Sequence, residues 1–171
     1  KAKVCECKSV SQLSEAEQTI EAVAVLGHGD AKGMISFKQK PGKATIISGT
    51  VTGLSEGLHG LHIHEFGDLS DGCDSAGGHY NPTGVDHGDI DNGHVGDLGN
   101  IHFDAKGVSK FRMEDGLVKL RGTKANVIGR SVVIHEDMDD LGMGGHNDSL
   151  TTGHAGKRIT CAVIGYSKRM F

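Results

Sequence analysis

The chain is dense in side chains that bind transition metals. Imidazole nitrogens suit zinc and copper, and a carboxylate oxygen can complete such a site. Histidines and acids scattered by chance over a protein surface would not give so many of these groups within one stretch of the chain. The sequence therefore predicts a metal-binding protein. The residues concerned are His62, His64, His79, His87, His94, Asp97, His135 and Asp139.

The first two histidines predict a pair of imidazoles at a strand edge. His62 and His64 lie in the segment LHGLHIHEF, and side chains at i and i+2 of a pleated strand project to the same face. His135 ends the apolar run 131–134, which predicts a second strand that delivers one more imidazole. A site of three or four imidazoles favours copper over magnesium or calcium, which prefer oxygen.

The second group lies in the Gly-rich segment GGHYNPTGVDHGDIDNGHVGD, which shows no sustained period of 2 or 3.6 residues. Irregular loops longer than about 12 to 15 residues are usually functional or disordered, and the ligand content here favours function. His79, His87, His94 and Asp97 supply three nitrogens and one oxygen, a set that suits four-coordinate zinc. The remaining histidines are predicted to be solvated or core residues: His28, His59, His102, His146 and His154.

Strands must position these groups. With 171 residues, 27 glycines and 4% aromatic residues, the chain is typical of one all-β domain with many turns. No apolar run approaches the roughly 20 residues of a membrane span. Nine candidate strands indicate eight strands and one miscount; they lie near residues 19–26, 31–38, 43–53, 57–64, 98–104, 107–113, 116–121, 130–136 and 159–166.

Five blocks resemble, in order, the signature segments of the copper/zinc superoxide dismutase family. They are HIHEFGD (62–68), CDSAGGHYNP (73–82), HVGDLGN (94–100), VVIHEDMDDLG (132–142) and GKRITCAVIGY (156–166). The resemblance covers roughly residues 20–168. It implies an eight-stranded antiparallel Greek-key sandwich or barrel with two long functional loops, and the family is itself a known example of the sandwich architecture.

The resemblance also implies a residue-by-residue site. Asp139 matches a carboxylate that links a copper histidine to a zinc histidine, and Cys73 and Cys161 match a disulfide. Copper ligands are expected at His62, His64, His79 and His135, and zinc ligands at His79, His87, His94 and Asp97, so that one ring serves both ions.

The activity implied is the conversion of superoxide into dioxygen and hydrogen peroxide, with copper and zinc as cofactors. Arg158 matches the cation beside the copper that receives the substrate anion, and His79 is expected to act as both ligand and proton carrier. A copper chaperone with the same fold and a passive metal buffer are the alternatives. A buffer would not need Arg158, and because all four copper histidines and Arg158 are present, we expect the enzyme.

Residues 1–18 lie outside the resemblance and are predicted to be an N-terminal extension of a domain at 19–171. Cys5 and Cys7 are too close in sequence for an unstrained mutual bond, so their pairing stays open. The start at Lys1 without Met, and the absence of further domain cysteines, favour a secreted protein, with a cytoplasmic one as the alternative. In a secreted protein, Asn147 would begin a glycosylation sequon.

Partners and steering complete the expectations. Superoxide is the substrate, a copper chaperone is a partner if the protein is intracellular, and neither nucleic acid nor a transmembrane segment is expected. Asp137 and Thr151 stand where fast intracellular relatives carry lysines, and a net charge of −4 repels an anion. Arg158 is then the main cation that attracts the substrate, with charge added by His146 and His154 below about pH 6.5.

A homodimer is also expected. The residues that match the family's subunit contact are Phe66, Gly67, Ile128, Val163 and Ile164. The alternative is that these residues belong to the hydrophobic core.

Overall fold

A computed structural model describes residues 18–27 and 29–170. The strands of this part of the chain are β1 (Ile20–Leu26), β2 (Lys32–Gln39), β3 (Thr45–Thr52), β4 (Gly57–His64), β5 (Asp97–Phe103), β6 (Val108–Asp115), β7 (Ser131–His135), β8 (Arg158–Val163) and β9 (Gly165–Tyr166). One short helix, α1 (Ser149–Thr152), and the 3-10 turns Asp74–Ala76 and Lys168–Met170 complete the elements.

The strands form two antiparallel sheets. Five strands pair in the order β6-β3-β2-β1-β9, and four pair in the order β5-β4-β7-β8. The chain crosses between the sheets at the connections β3–β4, β5–β6 and β6–β7, and the last of these, residues 116–130, is long. This arrangement confirms the predicted all-β, antiparallel Greek-key architecture.

The core lies between the sheets and follows the alternation of each strand. Phe37 and Ile47 from one sheet and Ile101 and Ile134 from the other are buried within one cluster. Such burial of alternate side chains is what a sandwich requires. Ile164 is also fully buried in this cluster, so its prediction as a subunit contact is wrong and the alternative core interpretation applies to it.

Strand β4 is buried on both faces. Leu61 and Ile63 belong to the core, whereas His62 and His64 project from the opposite face and are also buried. That face is covered by the loops 65–96 and 136–157, which approach it through hydrogen bonds described below. The predicted strand edge is therefore wrong: β4 is an inner strand between β5 and β7, and the two histidines lie near its C-terminal end.

The miscounted strand is the segment 116–121, which is irregular. Val118 and Leu120 are buried, but side chains instead of a neighbouring strand satisfy their backbone groups. Asp115 Oδ1 accepts from the N–H of Val118 (2.8 Å), Gln39 Oε1 accepts from the N–H of Leu120 (2.8 Å), and the Thr45 hydroxyl donates to the carbonyl of Val118 (2.7 Å). The predicted strand 159–166 divides into β8 and the two-residue β9, which belong to different sheets.

No helix in the described part of the chain has the length and apolar character that crossing a membrane requires. Residues 1–17, which include Cys5 and Cys7, and His28 lie outside the described residues. The predicted extension at 1–18, the start of the domain at 19 and the pairing of the two cysteines therefore stay predictions.

Candidate metal centre

The predicted ligands meet beneath the loops that cover β4. Their nitrogen and oxygen atoms form two groups, and within each group the atoms lie within 4.8 Å of one another. His62 and His79 belong to both groups, and every member is buried. The first group is His62, His64, His79 and His135, and the second is His62, His79, His87 and Asp97.

His94 differs from this pattern. It was predicted as a zinc ligand, but it lies beside the second group instead of within it. Its Nδ1 is 3.2 Å from Asp97 Oδ1, and the residue is buried. The backbone N–H of His94 donates to Asp97 Oδ2 (2.8 Å), so this histidine also orients the carboxylate.

Three backbone hydrogen bonds hold the ligand-bearing segments together. The N–H of Ile63 donates to the carbonyl of Gly96 (2.8 Å), that of Tyr80 to Ile63 (2.8 Å), and that of Gly96 to Tyr80 (3.0 Å). These residues are the immediate neighbours of His62, His64, His79 and Asp97. A side chain at Gly96 would place its Cβ 2.1 Å from the carbonyl oxygen of Ile63, so only glycine allows this approach.

In the first group, backbone carbonyls set the ring tautomers. His64 Nδ1 lies 2.9 Å from the carbonyl oxygen of Gly77, and His135 Nδ1 lies 3.1 Å from that of Gly156. A carbonyl only accepts, so each Nδ1 carries the proton and each Nε2 keeps its lone pair. The two Nε2 atoms are 3.3 Å apart.

The lone pairs on His64 Nε2 and His135 Nε2 face each other, which shows whether the first group could hold a cation. A hydrogen bond between the two Nε2 atoms would require one ring to be protonated on both nitrogens. Burial and the neighbouring His79 lower the pKa of His64 to about 2, and burial likewise lowers the pKa of His135 to about 4. Both rings are therefore neutral near pH 7, and two lone pairs this close can be satisfied by one metal ion between them. Copper is an ion that binds well to sites rich in imidazole.

The second group passes a similar test. His87 Nδ1 lies 3.0 Å from Asp97 Oδ2, yet the direction of the ring does not allow a hydrogen bond, and the nitrogen remains unsatisfied. A buried polar atom without a partner costs about 1 to 3 kcal/mol, which a bound ion would recover. Four buried ring nitrogens are in this position: His62 Nδ1, His79 Nε2, His87 Nδ1 and His94 Nδ1.

Asp139 connects the two groups, as the resemblance implies. Its Oδ2 lies 2.8 Å from His62 Nε2 and its Oδ1 lies 2.8 Å from His87 Nε2. Asn100 fixes the backbone of Asp139 through two hydrogen bonds of 2.8 Å. A Cβ at Gly153 would meet Asp139 Oδ1 at 2.0 Å, so the loop closes over the carboxylate only at a glycine.

The charges of the centre follow from burial and these contacts. Burial alone would raise the carboxylate pKa values, but hydrogen bonds with the histidines hold the pKa of Asp97 and that of Asp139 well below the usual range. Burial would lower the pKa of His87, yet Asp139 and Asp97 together raise it to about 9. Burial and His79 lower the pKa of His62 to about 3.

Arg158 opens β8 directly opposite His135 in the strand register. Its Nη1 donates to the carbonyl of Cys73 (2.8 Å), and its charge contributes to the lowered pKa values of His64 and His135. Cys73 and Cys161 are joined by a disulfide, with their Cα atoms 5.7 Å apart. The bond ties the loop that holds Arg158 to the strand that carries it.

The sequence did not predict the groups that orient the ligands through their backbone atoms or that allow the ligand-bearing segments to approach one another. Gly77 and Gly156 orient metal-facing rings with their carbonyls, and Gly96 and Gly153 allow close approaches. The glycines that flank the ligand histidines and Asp97 along the chain were the available signal. As expected, His59 lies outside both groups: its Nδ1 contacts the carbonyl of His135 at 2.9 Å.

Comparison with known proteins identifies relatives of the whole domain. Residues 31–164 match the family model for copper/zinc superoxide dismutase. A Cu-Zn superoxide dismutase of Paramecium bursaria Chlorella virus 1 is 50% identical over 167 residues, which cover 96% of this chain and 87% of the viral protein.

Two further relatives bear on function and fold. A copper chaperone for superoxide dismutase from Sus scrofa is 49% identical over 159 residues; the match covers 90% of this chain but only 56% of the chaperone. The crystal structure of the clock protein EA4 superposes with a TM-score of 0.83 at 45% identity, covering 86% of this chain and 94% of that one.

Proposed function

This chain belongs to the copper/zinc superoxide dismutase family, and from that membership we propose that it is itself an active superoxide dismutase. In the reaction, two superoxide anions and two protons yield one dioxygen and one hydrogen peroxide. The observation that carries the proposal is the combination of the first ligand group with Arg158, whose guanidinium lies at the same end of the sheet as His135.

The proposed cofactors are one copper held by His62, His64, His79 and His135, and one zinc held by His79, His87, His94 and Asp97. Copper supplies the one-electron redox chemistry of the reaction, and zinc, which does not change valence, organises the second group. The free Nδ1 of His62 and the unpartnered Nε2 of His79 support this assignment, as does the placement of His79 in both groups.

The residues of the chain do the remaining work. Arg158, fixed by the carbonyl of Cys73, binds the substrate anion through its free donors and holds it in one orientation. His79 would serve as the proton carrier of the cycle at Nε2, which has no competing hydrogen-bond partner within the described residues. Asp139 keeps the rings of His62 and His87 in one orientation throughout.

A copper chaperone is the second candidate, because the porcine chaperone is 49% identical to this chain. Its domain of this fold need not keep a complete redox site, whereas here Arg158 and every histidine of the first group are present. We therefore favour the enzyme. A passive buffer would have no use for Arg158.

The decisive experiment measures superoxide consumption by the metal-loaded protein, before and after selective removal of copper. We expect activity that depends on copper and returns when copper is restored. Arg158→Ala should lower kcat/KM at low salt more than Lys157→Ala, a matched change at the exposed neighbouring cation. A protein that binds both metals and consumes no superoxide would support the chaperone or the buffer instead.

For the compartment, we propose secretion, with the cytoplasm as the alternative. Within the described residues the only cysteines are the bonded pair, and such bonds persist in oxidising compartments. Expression from the full-length natural gene in cultured cells tests this, and retention of all protein inside the cells would contradict secretion. Glycosylation at Asn147 is expected only for a secreted protein.

A further inference from the structure

A second histidine cluster lies on the surface, outside both buried groups. The rings of His146 and His154 are stacked, with centroids 3.7 Å apart and planes 12° from parallel. His154 Nδ1 lies 2.7 Å from Asp148 Oδ1. Both histidines are exposed, so hydrophobic burial does not explain why two polar rings lie face to face.

The backbone holds this cluster in place. His154 has φ = 51°, in the left-handed region that a residue other than glycine rarely adopts, and strained residues of this kind cluster at functional sites. The N–H of His146 donates to the Ser149 hydroxyl (2.9 Å), and α1 separates the two histidines. His154 directly follows Gly153, which packs against Asp139 and His87.

The hydrogen bond to Asp148 determines which nitrogen of His154 is free. The carboxylate accepts from Nδ1–H, so Nε2 keeps its lone pair, as in the carboxylate-oriented histidines of many metal sites. The ring of His146 makes no hydrogen bond within the described residues. Two exposed imidazoles with available lone pairs therefore lie side by side.

We propose that His146 and His154, with Asp148 as the residue that orients His154, form a third binding site for a divalent transition metal, Cu²⁺ or Zn²⁺. Two imidazoles and a nearby carboxylate are ligands that both ions accept. The loop that carries the cluster is also acidic, since Asp137, Asp140 and Asp148 all belong to residues 137–157. This charge attracts a cation and opposes use of the cluster to bind superoxide.

The cluster is more open than the buried groups. Within the described residues, only the two buried groups have three or more ligand atoms within 4.8 Å of one another. Parallel rings direct their lone pairs side by side, so a bound ion requires one ring to turn about its χ2 torsion. This torsion has a broad energy profile, and an exposed side chain meets little resistance.

An ion at this site would brace the loop that covers the buried centre. The two arms of the loop are already joined by hydrogen bonds from the N–H of Asp140 to the carbonyl of Gly153 (2.8 Å) and from that of Asp137 to Ala155 (2.9 Å). His154 lies between these two bonds, and His146 lies beyond them, toward the tip of the loop. Metal bound there would therefore hold Asp139 and Gly153 more firmly over His87.

The experiment starts from protein whose buried sites are fully loaded, with the stoichiometry verified by elemental analysis. Zn²⁺ is then titrated calorimetrically into the wild type, His146→Gln, His154→Gln, Asp148→Asn and the control His102→Gln, which changes an exposed histidine of β5 away from the loop. We expect one further equivalent in the wild type and the control. Either loop histidine variant should lose it, and Asp148→Asn should bind about 10- to 100-fold more weakly.

Cu²⁺ should bind the same site more tightly than Zn²⁺, following the general order of divalent affinities. Its electron paramagnetic resonance spectrum should show nitrogen couplings that disappear in the histidine variants. Absence of a further equivalent in the wild type would overturn the proposal. A further equivalent that survives in the His146→Gln, His154→Gln double variant would overturn it equally, because the ion would then bind elsewhere.

Discussion

At the metal centre, each of three well-defined rings has one nitrogen committed to an orienting group and the other left for a ligand role. His64 and His135 are oriented by backbone carbonyls, and His62 is oriented by Asp139. These hydrogen bonds fix the tautomer of each of the three rings before a metal ion binds. The cost of assembling buried, unsatisfied nitrogens is recovered when the ion binds, so metal binding and folding are thermodynamically linked.

The shared position of His79 leads to a prediction about both metals. His79→Ala should weaken copper and zinc binding together, each by more than about 100-fold, since losing even an orienting group costs 10- to 100-fold. His64→Ala and His87→Ala are the matched controls, because each residue belongs to one group alone. Competition titrations with chelators would measure both affinities. Full retention of one affinity in His79→Ala would contradict the shared-ligand assignment.

The unequal pKa values of the rings predict a pH dependence of zinc binding. Asp139 and Asp97 raise the pKa of His87 to about 9 despite burial, so the metal-free protein holds a proton there at pH 7. Zinc needs the neutral ring, so its affinity should rise by about tenfold per pH unit between about pH 6 and 9. His64 and His135 are already neutral in this range. Calorimetry in buffers of different ionisation enthalpy would count the released proton, and a flat profile would argue against this protonation.

Among the elements, β4 and the loops that cover it decide whether the ligands meet. The strand contributes ligands from one face and core residues from the other, so the same eight residues couple the metal centre to the hydrophobic core. The loops reach the strand through backbone hydrogen bonds and through the disulfide. Two predictions concern these attachments.

Gly96→Ala should lower stability and metal binding together. The added Cβ would lie 2.1 Å from the carbonyl of Ile63 and 2.9 Å from the N–H of Tyr80, so backbone must move and the hydrogen bonds among these segments weaken. We expect a loss of about 2 to 4 kcal/mol in the free energy of unfolding, from overpacking and lost hydrogen bonds. Gly78→Ala is the control, since nothing lies within 4 Å of the position that a Cβ would take there. Equal urea midpoints and zinc contents for the two variants would contradict the role of Gly96.

Reduction of the Cys73–Cys161 bond should lower the free energy of unfolding by about 2 to 5 kcal/mol, the usual cost of losing a native disulfide. Because the carbonyl of Cys73 accepts from Arg158, reduction should also lower the affinity for the substrate anion. Denaturant titration with and without a reductant measures the first effect. Peptide mapping that pairs either cysteine with Cys5 or Cys7 would refute the assignment of the bond.

For the whole molecule, charge and exposed apolar surface govern how it meets its substrate and other copies of itself. The chain carries a net charge of −4, so attraction of the proposed substrate, superoxide, depends on local cations such as Arg158. Phe66 and Val163 are 55% and 40% exposed. They lie near each other, because Phe66 precedes Gly67 and a Cβ on Gly67 would meet a Val163 methyl group at 3.3 Å. Exposed apolar groups of this size suit a contact between subunits.

The expected homodimer supplies the prediction at this scale. Phe66→Glu should convert a dimer to a monomer, because burying an unpaired carboxylate in a contact costs several kcal/mol. Leu58→Glu, at the far end of β4 and 42% exposed in the wild type, should leave the dimer intact. Light scattering at micromolar concentration distinguishes the two. A wild-type protein that is monomeric under these conditions would contradict the expected homodimer.

The sequence by itself determined the types of metal-binding side chain and most of the strands. Ligand types, their order along the chain and the alternation within strands are local properties, so eight of the nine candidate segments lie on observed strands. The failure at 116–121 is instructive: Val118 and Leu120 alternate as in a strand, but Asp115, Gln39 and Thr45 supply their hydrogen bonds. Sequence patterns indicate which side chains are buried, and they do not indicate which partner satisfies the backbone.

Only the tertiary structure decided how the ligands are grouped and which nitrogen each one presents. His62 joins both groups, His94 lies beside the second, and Asp139 spans the two. The stacking of His146 on His154 was equally invisible in the sequence. The physical reason is the same throughout: the direction of an imidazole lone pair depends on hydrogen bonds to residues far away along the chain, and those partners become neighbours only when the loops close over β4.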